Sequence, residues 1–127
     1  MAANAVSAAN VSWDCKVPAA SSTRLIAGQY LFNYDPDKSA ASVVDPLIKY
    51  HKNGFIPVEK IKEKGDKVVF SWKIRTGNTS QKATLSYTAS IDRKSGRFNV
   101  HAIPLGYDNS DNVGGVCKQV PGPLELK

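Results

Sequence analysis

The side chains equipped for chemistry in this chain of 127 residues are two histidines, the polar run Asp108-Asn109-Ser110-Asp111-Asn112, and a set of basic residues. A histidine can move a proton near neutral pH, but acid–base work needs a second group within reach. His51 stands at the end of a helical pattern, where a protonated imidazole favours the C-terminal dipole, so it reads as a capping or packing residue. His101 lies on a polar strand face beside Thr88. It is the one centre for an unrecognised enzyme site, although no serine nucleophile elbow or paired carboxylate accompanies it. The polar run resembles the opening of a calcium loop. The EF-hand pattern needs glycine at its sixth position and glutamate at its twelfth, where this chain has Val113 and Gln119, and an Asx-rich turn explains it better. No catalytic residue, metal or cofactor is therefore expected.

The basic set is the remaining signal. Lys73, Arg75, Lys82, Thr88, Arg97 and His101, with Arg93 at one tip, are the candidate binding residues. They share a polar face on which arginine forks and hydroxyl donors could meet an acidic partner. Lys plus Arg number 17 against 11 Asp plus Glu, and the net charge of +6 attracts polyanions at low salt. The aromatics Phe70, Trp72, Tyr87 and Phe98 all fall on the opposite face, whereas a stacking binder of single-stranded nucleic acid needs them on the basic side.

The elements that position these residues follow from period-two alternation. Val68, Phe70, Trp72 and Ile74 share one face against Ser71, Lys73 and Arg75. Ala83, Leu85, Tyr87, Ala89 and Ile91 oppose Thr84, Ser86, Thr88, Ser90 and Asp92. Phe98, Val100 and Ala102 oppose Arg97, Asn99 and His101. The loop Arg93-Lys94-Ser95-Gly96 closes a hairpin, which sets Asp92 opposite Arg97, Ile91 opposite Phe98, Ala89 opposite Val100 and Tyr87 opposite Ala102. The first hairpin turns through Thr76-Gly77-Asn78-Thr79. Lys64-Gly65-Asp66-Lys67 reads as a tight turn from a weaker, charged edge strand near Val58 to Glu63.

Early strands are expected at Val11 to Val17 and Gly28 to Tyr34. Asp35-Pro36 and Asp45-Pro46 each place an N-capping carboxylate before a first-turn proline, which predicts a short helix leading into a second. Val43, Val44, Leu47, Ile48 and His51 then form a helical stripe over the sheet's apolar face, and Asn53-Gly54 ends it. Leu105 to Gly115 reads as a long loop, and Val116 to Val120 as a last strand.

The expected fold class is α+β: one antiparallel sheet of about four to six strands on one short or kinked helix, in a cystatin-like or small β-roll topology, with a small closed β-barrel as the alternative. The element order is similar to the cystatin-like topology, but the QxVxG hairpin by which cystatins enter protease clefts is absent, so no activity or residue transfers. A second resemblance is to small periplasmic β-domains with a single disulfide, some of which inhibit lysozyme. No inhibitory motif matches, and a charge of +6 would repel a basic lysozyme.

Cys15 and Cys117 lie in expected strands near opposite ends of the chain, the pattern of a stapled exported domain, and are expected to be bonded. Residues 1–10 lack the basic and apolar regions of a signal peptide and resemble the mature end left after one is removed, as a disordered leader. A single domain over 11–120 and a tail over 121–127 complete the expected organisation. No run approaches the roughly 20 apolar residues of a membrane span. Together these features point to an exported, periplasmic or extracellular, non-catalytic binding or inhibitory module acting through protein–protein contact. A polyanion-binding protein, directed at nucleic acid, a heparin-like chain or a phosphate-rich surface, is the second reading. The sequence implies no oligomeric state.

Overall fold

The computed structural model describes residues 11–18, 26–77, 82–106 and 110–124. Among these, nine strands form one antiparallel sheet: β1 (Val11–Lys16), β2 (Gln29–Asp35), β3 (Ala40–Val44), β4 (Ile56–Pro57), β5 (Lys60–Lys64), β6 (Lys67–Gly77), β7 (Lys82–Asp92), β8 (Arg97–Pro104) and β9 (Asp111–Val120). Their spatial order is β4-β3-β2-β1-β9-β8-β7-β6-β5, and the sheet curls into a half-barrel. One short helix, α1 (Pro46–Lys52), follows β3.

This corrects the expected α+β fold of four to six strands on a helix. Among its described side chains the helix contributes Ile48 and part of Leu47 to the core, while the curled sheet covers its own apolar face. Phe32 on β2 stacks at 5.2 Å on Phe70 of β6, and Trp13 on β1 lies 6.1 Å from the same ring. Trp72 and Tyr87, neighbours on β6 and β7, stack at 5.4 Å. Such aromatic pairs each add about 0.5–1.5 kcal/mol beyond their area burial.

The β-ladder also stops short of the closed barrel held as the alternative. β4 and β5 do not pair with each other; they are successive pieces of chain. Between them the Val58 N–H donates to Ala41 O of β3 at 2.8 Å, and the Glu59 N–H to Ser71 O of β6 at 2.7 Å, so the chain itself bridges the two margins of the sheet.

The registers of β6, β7 and β8 agree with the sequence reading: Ile91 faces Phe98, Ala89 faces Val100, and Thr88 faces His101. Gly96 closes the hairpin at φ 80°, and its N–H donates to Asp92 O at 2.7 Å. Asp92 makes no ion pair with Arg97; its Oδ1 accepts from the N–H groups of Lys94 and Ser95 at 2.9 and 3.1 Å.

Three further corrections concern the other half of the chain. Asp35-Pro36 starts a hairpin turn, not a helix, because proline's fixed φ serves the first corner of a β-turn equally well; Asp35 pairs with Ala40 across it. Val43 and Val44 belong to β3, where β-branched side chains pack against Phe32 and Leu31, and so leave the helical stripe. The expected 105–115 loop gives way to β9 from Asp111 onward, and Asn78 to Gln81 of the first hairpin, like Tyr107 to Asn109, lie outside the described residues.

Cys15 and Cys117 are bonded and directly opposed in the β1–β9 ladder, with Cα atoms 3.9 Å apart. No described helix is long and apolar enough to cross a membrane.

Candidate functional site

The inner face of β6 to β8 is buried: Phe70, Trp72, Ile74, Tyr87, Ala89, Phe98 and Val100 line it. Their alternation partners must then face outward. Register sets Lys73 opposite Ser86, Arg75 opposite Thr84, Ser90 opposite Asn99, and Asn99 in turn opposite Gly114 of β9. The outcome is one polar outer wall built by four strands.

Two hollows divide this wall. One, of about 530 Å³, is lined by Lys67, Ser90, Asp92, Arg97, Asn99 and the Gly114–Val116 segment. The other, of about 450 Å³, is lined by Lys52, Glu59, Lys73, Arg75, Thr84 and Leu105. Lys67 and Lys73 are six residues apart on β6, as are Thr84 and Ser90 on β7, so the nearest lining residues of the two hollows lie about 20 Å apart along the strands at roughly 3.3 Å per residue. Thus the predicted residues are separated: Lys73 and Arg75 go to one hollow, Arg97 to the other, and the facing pair Thr88 and His101 lines neither. Lys82 is on β7 opposite Gly77, and its side chain, like that of His51 in the last turn of α1, lies outside the described residues.

Arg93 has a different job. Its guanidinium reaches back to the β5–β6 turn, donating to Glu63 Oε1 at 2.6 Å, Gly65 O at 2.7 Å and Asp66 O at 3.2 Å. The other oxygen of Glu63 accepts from the Tyr34 hydroxyl of β2 at 2.5 Å. Tyr34, Glu63 and Arg93 therefore clasp β2, β5 and the β7–β8 turn together. The Tyr34 hydroxyl, then Arg93, hold the Glu63 carboxyl below its usual range, while burial and Glu63 push the Tyr34 phenol up to about 12. In the first hollow, the N–H groups of Ser95 and Lys94 likewise hold the Asp92 carboxyl low, with Lys67 opposite it in register.

A second polar centre lies in the interior. Asp45 caps α1: its Oδ1 accepts from the Ile48 N–H at 2.7 Å, while its Oδ2 has no hydrogen-bond partner among the described residues, and the residue is 4% exposed. Burial pushes this carboxyl up to about 6, against the pull of the Ile48 and Leu47 N–H groups and the Tyr30 phenol. Burial, and secondly the charge of Asp45, push the phenols of Tyr30 and Tyr87 upward in turn. Sequence reading found the cap but not its burial, since capping carboxylates usually face water.

Sequence reading also missed Lys67, Lys52, Glu59 and Gly114. Lys67 was legible, because it shares the parity of Lys73 and Arg75 on β6. Gly114 was not, since glycine in a polar run reads as loop. Among the described residues no group of His, Cys, Asp or Glu is arranged to hold a metal ion.

Comparison with protein-family models, with curated proteins and with solved structures yields no match to this chain.

Proposed function

We propose that the protein is a non-catalytic, exported binding module whose contact surface is the outer wall of β6 to β9, directed at a protein partner of acidic surface. The observation that carries this reading is the placement of Lys73, Arg75, Lys67 and Arg97 in two solvent-facing hollows on one wall, while the inner face is filled by aromatic side chains. Of these cations none takes part in an ion pair with a described residue; the described ion pair is Arg93–Glu63. Unpaired guanidinium and ammonium groups on a rigid sheet are available to a partner, and complementary charge raises the rate of encounter. The Cys15–Cys117 disulfide supports export, because such bonds persist in oxidising compartments.

The test is affinity capture from the extracellular fluid of the source with wild type and with the Arg75→Glu, Arg97→Glu double variant. Wild type should retain a stoichiometric, salt-eluted protein that the double variant, equally folded by circular dichroism, releases. Equal retention by both would remove the wall from the reading.

A further inference from the structure

Gly114 is the residue on the outer wall that the fold does not explain. It sits inside β9 with φ outside the left-handed region, and a Cβ built on it would meet nothing closer than Phe98 O at 3.6 Å, an ordinary contact. Its neighbour Gly115 is different: there a Cβ would collide with the Lys16 carbonyl oxygen, so packing demands glycine. A side chain is thus permitted at 114 and would strengthen the strand, since glycine weakens strand interiors. Its absence leaves the cross-strand row Gly114–Asn99–Ser90, which lines the 530 Å³ hollow, bare at its β9 end. Glycine in a strand commonly marks the place where a ligand or another backbone comes close.

The groups around this row define what fits. Lys67 on β6 and Arg97 on β8 supply two cations against one carboxylate, Asp92 of β7, whose Oδ1 is already held by the Lys94 and Ser95 N–H groups; the balance is one positive charge, and Arg97 presents a fork suited to a carboxylate or sulfate. Ser90 and Asn99, opposed in the β7–β8 ladder, offer a hydroxyl and an amide side by side, which together donate and accept. Val116, 65% exposed, adds an apolar margin. No aromatic side chain faces outward here; Phe98 lines the hollow while only 2% exposed. A stack of bases therefore has no platform. The volume lies within the roughly 300–1,000 Å³ typical of small-ligand sites, whereas a protein interface spreads over a larger area.

We infer that the hollow bordered on its β9 side by Gly114 is a binding site for an acidic sugar, a uronate or sulfated saccharide unit whose anionic group is met by Arg97 and Lys67 and whose hydroxyls are met by Ser90 and Asn99. The inference rests on the reading of the outer wall as the contact surface and gives one part of that wall its own ligand class.

The experiment is titration of the full chain with trigalacturonate and with a heparin-derived tetrasaccharide, followed by amide NMR shifts, with cellotetraose and an eight-residue oligothymidylate as comparators. The expected result is saturable binding of at least one acidic sugar, with shifts concentrated at Lys67, Ser90, Arg97, Asn99 and Val116. Gly114→Val, which narrows the hollow from its β9 side, should weaken that binding at least tenfold with no loss of thermal stability, and Arg97→Gln should weaken it to a similar extent. Failure of both acidic sugars to bind, or an unchanged affinity in Gly114→Val, would overturn the site. Equal binding of the oligothymidylate at the same residues would overturn the sugar class. Because partner capture by the Arg75→Glu, Arg97→Glu variant is scored separately, the sugar site can fail while the wall reading stands.

Discussion

The two walls of the half-barrel treat their outer faces in opposite ways. Over β1 and β2 the outer face is stitched down. Ser12 is 0% exposed, its hydroxyl donates to Asn33 Oδ1 at 2.7 Å, and Asn33 holds Leu124 of the C-terminal segment through both Leu124 N–H and O, at 2.7 and 3.0 Å. Asp14 is likewise engaged by the Gln29 amide at 2.8 Å. Over β6 to β8, on the same curled sheet, none of the described segments is laid across the polar side chains. Inner faces are alike in the two walls, aromatic and buried, so the difference lies outside. One wall uses its polar residues to hold the chain, and the other leaves them free.

Breaking the stitched wall at its staple should have the largest effect. Replacing Cys15 and Cys117 together by Ala releases a cross-link over a sequence separation of 102, and the chain-entropy account expects a loss of about 4.7 kcal/mol at most. Denaturant titration checks this, and mass spectrometry of unreduced protein should show two hydrogens fewer than the reduced chain. Leu85→Ala, on the inner face of the free wall, should cost about 2–5 kcal/mol, whereas Thr84→Ala beside it on the outer face should shift stability by less than about 0.5. Comparable losses at both positions would mean that something covers the outer wall too.

Asp45 gives a test with a distinct pH signature. Its folded pKa of about 6 lies above the ordinary 3.8, so the folded state holds this proton more tightly than the unfolded chain. Stability from this group is therefore fully present below about pH 4 and is lost as pH rises through 6, by up to about 3 kcal/mol at 1.36 kcal/mol per pKa unit. Asp45→Asn keeps the oxygen that caps Ile48 and removes the titration. Its thermal stability should exceed wild type at pH 7 and match it more closely at pH 4; a gap independent of pH would exclude the mechanism. Asn33→Ala should cost about 1–3 kcal/mol, because it leaves the buried Ser12 hydroxyl and the Leu124 backbone without their partners. Smallest of all, the charge reversals at Arg75 and Arg97 should move stability by no more than about 0.5 kcal/mol.

The free wall was legible in the sequence and most of the stitched wall was not. Strict alternation from Val68 to Ala102, with Gly96 at a turn, defines faces and register from neighbouring residues alone. In the other half, Asp-Pro begins a turn and a helix with equal ease, and nothing local to Val43 and Val44 distinguishes a helical stripe from a strand packed on β2. The run from Asp111 to Gly115 reads as loop because glycine and asparagine are poor strand formers. It becomes β9 because Phe98 to Ala102 pair along it and Gly115 lets the Lys16 backbone come close. Of the candidate site, Lys73, Arg75 and Arg97 were placed on the correct face, but their division into two hollows depends on side chains from Lys52, Glu59 and β9. Arg93 shows the limit most plainly: its parity says nothing about the turn of β5–β6 to which it is bound.

The strand order has a consequence for kinetics. β1 to β4 and β5 to β9 are each built from successive hairpins, so their contacts join near neighbours in the chain and can form early. The β1–β9 ladder alone joins residues about a hundred positions apart, such as Asp14 and Lys118. In the reduced chain, bringing those strands together demands the largest loss of chain entropy, which makes their pairing the slow event in reaching the native state; the Cys15–Cys117 bond, set in the same ladder, removes that cost once formed. Substitutions in β1 that weaken this ladder, for example Trp13→Leu, should accordingly slow refolding of the reduced chain, whereas changes in the β5–β6 hairpin should act chiefly on the rate of unfolding.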